Sequence, residues 1–257
     1  SRSGYGEQTR FALRSLRAHE ERFNILLINI SWGATGWIAD DGEERDWIDQ
    51  LLGKTQQHLH NQLPIDISLQ VTIPNEWEKI APINIGYTAG IEATHVSPKW
   101  LEKARLMDKI IVVSNHSKNV YNNTLCEVIN HQTGEKFNYQ NDVPIEVVNY
   151  PVRSLEQESI DLNLEYDFNF LTVAQMGPRK NLGNTLRWFL EEFKDDEVGL
   201  LIKTNIANCS TSDRMLCVKK LQEVMQHFPD RKCKAYLLHG DLSLEQMNYL
   251  YAHPQVK

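Results

Sequence analysis

The chain contains no apolar run near the ~20 residues that a membrane-spanning helix needs, and no leader pattern stands at its start. A protein without a transmembrane segment is therefore expected, with the cytoplasm as its compartment. Basic residues are also short: 27 Lys and Arg against 34 Asp and Glu leave a net charge of -7. That balance excludes a general nucleic-acid binder, which needs a basic surface to displace counterions, but it still allows a local basic pocket. Cysteines are few. Cys126, Cys209, Cys217 and Cys233 form no CxxC pair and match no histidine spacing, so neither a zinc site nor a disulfide framework is indicated. No metal and no cofactor are expected. Nothing in the composition points to disorder, because 257 residues that are 41% hydrophobic can fill the cores of two modest domains.

The most informative stretch is NFLTVAQMGPRKNLGNTLRWFLEEF, residues 169–193. Phe170, Leu171, Val173 and Ala174 make an apolar run of strand length that stops at Gly177 and Pro178. Leu182, Leu186, Phe189, Leu190 and Phe193 then fall on one helical face. Arg179 and Lys180 lie between the two elements. In an open α/β sheet, ligands gather at the carboxyl ends of strands, where helix amino termini present unpaired N–H groups. Two cations there suit a diphosphate, although a basic pair in a loop is also a common decoration of a solvated turn.

Before this stretch, SRSGYGEQTRFALRSL reads as a glycine turn, Gly4, Tyr5 and Gly6, entering a helix; such a turn usually follows a buried strand. Residues 24–30, NILLINI, are expected to form a buried strand, followed by a polar loop that includes Asp40 and Asp41. IDISLQVTI and INIGYT are further strands. Ser97 and Pro98 suit the N-cap and first position of a helix, and KIIVVS is again a strand. Residues 130–142 read as a hairpin or surface loop, and IEVVNYPV as the last strand of a first domain. The acidic segment 153–167 shows no core face and reads as a linker. Beyond residue 193, VGLLIKT and KAYLLHG are strands. Thr211 to Phe228 is a helix with Met215, Val218, Leu221, Val224 and Met225 inward, and Ser243 with Gln246 forms a capping box.

FLTVAQMGPRKNLGNTLRWF resembles the opening strand, loop and helix of the donor-binding domain in retaining GT-B-fold glycosyltransferases of the group 1 type. The segment GIEATHVSPKWLEKARLMDKIIVVSNHSKNVY is similar to the part of the same family that leads up to its cleft. The resemblance implies an α/β fold of two Rossmann-like, doubly wound parallel-sheet domains facing a cleft, at 1–152 and 168–257, joined by a linker at 153–167. It implies transfer of a sugar from a nucleotide-diphosphate donor to an acceptor hydroxyl with retention, and a donor diphosphate held by Lys180. Gln175 stands where the family's arginine is usual, so that this first cation is either missing or supplied by Arg179. Lys203, at a strand end, is a third candidate cation, with a surface lysine as the alternative. Gly4, Tyr5 and Gly6 match the glycine-rich loop that faces donor phosphates, and a simple tight turn is the alternative. Glu92 and His95 are candidates for sugar contact and proton transfer, or else cap the next helix.

A glycine turn with no strand ahead of it leads to the expectation that a strand is missing before Ser1, and the resemblance to the expectation that the second domain lacks the elements reading ribose and sugar, so that a chain cropped in this way is short of parts for turnover. The acceptor is left open among glycans, small molecules and lipid-linked sugars, the last of which would place the protein at a membrane surface. Two other functions stay open at this point: a GT-B-fold nucleotide-sugar epimerase, and a catalytically silent sugar- or nucleotide-binding module.

Overall fold

The computed structural model describes residues 3–30, 41–129, 134, 136–207 and 209–257. It divides into two compact α/β units, the first ending at Val152 and the second covering Arg153–Lys257.

The first unit is built on a parallel four-stranded sheet of β1 (Ile67–Val71), β2 (Ile83–Tyr87), β3 (Lys109–Val112) and β6 (Ile145–Val147), in the order β1-β2-β3-β6. An antiparallel hairpin of β4 (Cys126–Ile129) and β5 (Lys136–Tyr139) leads into β6. Helices α1 (Gly4–Arg17), α2 (Glu43–His60), α3 (Pro98–Ala104) and α4 (Asn115–Asn123) accompany the sheet. Ser97 caps α3 as its sequence suggests, its hydroxyl accepting from the Lys99 amide at 3.3 Å. The main core joins Trp77, Leu101, Ala104, Ile110, Val112 and Tyr121, all fully or almost fully buried. Trp77 packs closely on β2, where a Cβ on Gly86 would stand 2.6 Å from its ring, so only glycine fits there.

Tyr121 is fully buried, yet its hydroxyl has no hydrogen-bond partner among the described residues. Burial therefore raises its pKa well above the ordinary phenol value. In the unfolded chain this phenol ionises near pH ~10, whereas in the fold it keeps its proton. The sign follows: its contribution is intact below pH ~10 and is lost as the pH climbs above that value. Tyr121→Phe should flatten the alkaline decline expected in urea midpoints, and should stabilise the protein by up to ~1 kcal/mol at pH 7, because an unsatisfied hydroxyl is removed. An unchanged alkaline slope in the variant would show that other groups govern it.

Residues 24–30 are not a strand. The segment joins no ladder, and Ile28 and Ile30 are half exposed. Among the described residues no strand lies beside it to receive its backbone bonds; its one anchor of this kind is the Leu27 amide donating to the Thr55 hydroxyl at 2.7 Å. Ile25 nevertheless packs with Leu13, Trp47 and Leu51, so the apolar content serves a small helix-to-helix core. Gly4, Tyr5 and Gly6 are likewise not a loop. They form the first turn of α1, with Ser3 as N-cap accepting from the Gly6 amide at 3.0 Å. The Ser3 cap supplies the acceptor that a turn would have had to find elsewhere. Asp40 lies outside the described residues, and Asp41 precedes α2 in an exposed position.

The second unit carries a parallel three-stranded sheet, β7 (Asn169–Val173), β8 (Gly199–Lys203) and β9 (Lys234–Leu238), in that order. Val256 adds a single parallel bridge beside Asn169. Helices α5 (Leu182–Glu192), α6 (Thr211–Met225) and α7 (Leu244–Ala252) complete it, and the Ser243 and Gln246 capping box on α7 is present. On α5, Leu182, Leu186, Phe189 and Leu190 are buried against β7 and β8 as their spacing requires.

Two readings of this half need correction. The buried positions of α6 are Asp213, Cys217 and Leu221, whereas Met215 is 66% exposed. The inward stripe begins on a polar residue four positions before Cys217, and a search for apolar residues alone passes over it. The supposed linker, in turn, does have a core face. Ile160, Leu162 and Leu164 alternate inward and pack with Leu201, Leu250 and Val256. The same segment is tied to α7, as the Leu155 and Glu156 carbonyls accept from Asn248 Nδ2 at 2.7 and 3.2 Å and the Glu158 carboxylate accepts from Ser243 Oγ and Gln246 Nε2. It is a strap whose burial alternates with a period of two although Asn163 departs from extended backbone at φ 45°, and the polar Asp161 and Asn163 between its apolar residues mask the pattern.

Candidate functional site

The carboxyl ends of β7, β8 and β9 gather the chemistry of the second unit. After β7 the backbone turns at Gly177 and makes one 3-10 turn, Pro178–Lys180, before α5 begins. Asn181 stands at the junction with φ 52°, in the left-handed region that asparagine tolerates better than most residues. Its side chain makes no capping bond. The Asn184 and Thr185 amides return to the Asn181 carbonyl, which leaves the amides of Leu182 and Gly183 without an acceptor among the described residues. An uncapped helix start with free amides and a positive dipole end attracts anions.

Arg179 and Lys180 lie in the 3-10 turn, both exposed, and neither side chain has an ion-pair partner among the described residues. Beside them is a shallow cavity of about 260 Å³ lined by Met176, Gly177, Pro178, Asn181, Leu182, Gly183, Lys220 and Leu221. Lys220, from α6, is a cation of this site that the sequence reading missed. The signal for it was weak, since nothing local distinguishes this lysine from its neighbour Lys219. Gln175 is occupied elsewhere, its Nε2 donating to the Ile206 carbonyl at 2.6 Å.

Lys203 ends β8 in register with Val173. Its ammonium donates to the Gly240 carbonyl at 2.6 Å, which ties the end of β8 to the residues following β9. Next to it is a second arrangement that sequence reasoning did not find. The Asp213 carboxylate is buried and accepts from the Ile206 amide at 3.0 Å and the Ala207 amide at 2.8 Å. His239 Nε2 lies 2.8 Å from Asp213 Oδ1, with its side chain only 2% exposed. An ionised carboxylate only accepts, so Nε2 carries the proton of that bond. The Cys217 thiol points at the same oxygen from 3.7 Å, and burial, followed by the adjacent carboxylate, pushes its pKa up to about 11. The exposed side holds Cys209, whose thiol donates to Asp241 Oδ1 at 2.9 Å. Asp213 and Cys217 share a face because they are four apart on α6, while His239 arrives from the end of β9; a search for paired CxxC spacing cannot see that convergence.

The remaining candidates belong to the first unit, at the carboxyl end of its own sheet. Tyr5 reaches from α1 to Thr88, just past β2, with hydroxyls 3.0 Å apart, and accepts from the Ala89 amide at 3.3 Å. Gln8 Nε2 donates to the Thr88 carbonyl at 3.2 Å, so α1 is pinned to this edge by its first turn. Burial raises the Tyr5 phenol above its ordinary pKa. Glu92 and His95 are exposed on the loop between β2 and α3, with His95 Nδ1 3.1 Å from Thr94 Oγ1. Neither caps α3, which Ser97 does.

Both units are thus α/β with parallel sheets, an architecture compatible with Rossmann-like folds. No helix among the described residues is long and apolar enough to cross a membrane. The chain matches no protein-family model, and no curated protein is significantly similar to it.

Proposed function

We propose that this chain binds a nucleoside diphosphate at the start of α5 and is a retaining glycosyltransferase of GT-B type using a nucleotide-sugar donor. The observation that carries the proposal is the uncapped amino terminus of α5, with free amides at Leu182 and Gly183, directly after the unpaired cations Arg179 and Lys180. A diphosphate supplies the acceptors that these donors lack, and its charge is favoured by the helix dipole. Lys220 is placed to add a third cation, and Lys203 acts indirectly by fixing the β8 and β9 edge.

In this mechanism the leaving diphosphate is stabilised as its charge develops, by fixed amides and cations. Departure of the nucleoside diphosphate and attack of the acceptor hydroxyl on the same face retain the anomeric configuration. Glu92 and His95 are assigned to hydroxyl recognition on the first unit, and Gly4, Tyr5 and Gly6 to shaping that unit's sheet edge. The resemblance of residues 170–189 to the donor domain of such enzymes supports the reading.

Calorimetric titration with UDP, GDP and ADP tests it. One nucleotide should bind with heat, and Lys180→Ala should weaken it ~10- to 100-fold, the ~1.5–3 kcal/mol scale of a hydrogen bond to a charged group. Binding that survives both Lys180→Ala and Arg179→Ala unchanged would move the diphosphate elsewhere. No binding of any of the three by folded protein would remove the donor assignment and leave the fold.

A further inference from the structure

The Asp213, Cys217 and His239 cluster takes no part in the reaction proposed above, and its composition is unusual for a hydrogen-bonding hub. It brings together a carboxylate oxygen, a thiol sulfur and an imidazole nitrogen, all within 4.8 Å of one another, and is the one such group among the described residues. We propose that these three side chains form a binding site for a zinc-like divalent cation at the carboxyl edge of the second sheet.

Three features of the geometry carry it. Around a tetrahedral zinc ion, with bonds of ~2.0 Å to oxygen and nitrogen and ~2.3 Å to sulfur, ligand atoms stand roughly 3.3–3.6 Å apart. Cys217 Sγ is already 3.7 Å from Asp213 Oδ1. His239 Nε2 is 2.8 Å from the same oxygen because a proton lies between them; once that proton moves to Nδ1, the pair can open by the half ångström needed. Asp213 Oδ1 is therefore the point on which the other two ligands converge, and the ion takes the place of the imidazole and thiol protons now directed at it, while the Ile206 amide keeps its bond.

Charge is the second feature. An Asp213 carboxylate and a Cys217 thiolate carry two negative charges in a place where Cys217 is fully buried and Asp213 nearly so, and a divalent ion cancels both. The third is support around the ligands. The Ile206 and Ala207 amides hold both carboxylate oxygens in orientation, as outer-shell groups do in metal sites. The mixed N, O and S donor set suits zinc better than magnesium or calcium, which take oxygen. With three protein ligands, the fourth position is left for water. Its structural effect is to clamp the loop after β8 and the end of β9 to α6.

The test uses the full chain, stripped with a chelator and titrated with Co²⁺ and then Zn²⁺. Equimolar uptake is expected, with a thiolate-to-cobalt charge-transfer band in the near ultraviolet that zinc abolishes. Cys217→Ser should lose the band, and both it and His239→Gln should bind zinc more than ~100-fold more weakly, beyond the ~10–100-fold that an outer-shell change produces. Folded wild-type protein that takes up no equimolar metal overturns the site, as does undiminished uptake by Cys217→Ser. If either variant fails to fold, X-ray absorption on zinc-loaded wild-type protein decides the matter. One sulfur at ~2.3 Å among nitrogen and oxygen scatterers supports the site, and a shell without sulfur overturns it.

Discussion

Replacing Trp77 with alanine should cost the first unit ~3–5 kcal/mol, the range of large aromatic truncations in closed cores. Trp77 has no exposed surface and fills the space above Gly86, at the centre of a sheet whose β2 continues into Thr88 and the anchor of α1. The two positions are a matched pair. Gly86→Ala alone brings a methyl to 2.6 Å from the indole and should cost ~1–3 kcal/mol through overpacking. In the Trp77→Ala background the same methyl enters the cavity and should cost little or nothing. A double-mutant cycle read by urea unfolding should therefore show a coupling of ~1–3 kcal/mol. Strict additivity would mean that the indole shifts away at little cost, and that the close approach is not what reserves this position for glycine.

What was legible in the sequence divides along physical lines. Elements specified by local chemistry were readable: Ser97 with Pro98 at α3, Ser243 with Gln246 at α7, and the strand, turn and helix from Asn169 to Glu192. Each rests on residues within one turn or one strand of each other. Residues 24–30 failed for the opposite reason, because an apolar run becomes a strand only when a neighbour takes up its backbone bonds, and a neighbour is a long-range fact. The strap at 155–164 and the buried face of α6 failed through composition. Polar residues, Asp161 and Asn163, alternate with Ile160, Leu162 and Leu164 in an acidic segment, and a carboxylate begins the inward stripe of α6. The candidate site divides the same way. Arg179 and Lys180 are readable as candidates because the resemblance that singles them out lies in one local stretch, whereas the meeting of Asp213 with His239 needs the crossover that brings α6 and β9 to one edge.

That meeting leads to the second large effect. In metal-free protein, Asp213→Ala should destabilise the second unit by ~3–5 kcal/mol, the cost of breaking a buried charged network from one side. The variant leaves the Ile206 amide, the Ala207 amide and the buried His239 ring each without its present acceptor. Each orphaned group costs ~1–3 kcal/mol unless water reaches it, and the enclosed His239 is the hardest to reach. Asp213→Asn keeps one carbonyl oxygen but turns an NH₂ toward a donor, so it should fall between wild type and alanine. The loss should extend to nucleotide binding, because the Ile206 carbonyl holds Gln175 and the residue after His239 holds Lys203. Differential unfolding of the two units, followed by urea with and without the nucleotide that binds, separates these effects. A loss below ~1 kcal/mol in Asp213→Ala would mean that solvent enters readily and that the carboxylate does not organise this edge. A full stability loss with unchanged nucleotide affinity in the folded fraction would instead uncouple the buried network from the anion site at α5.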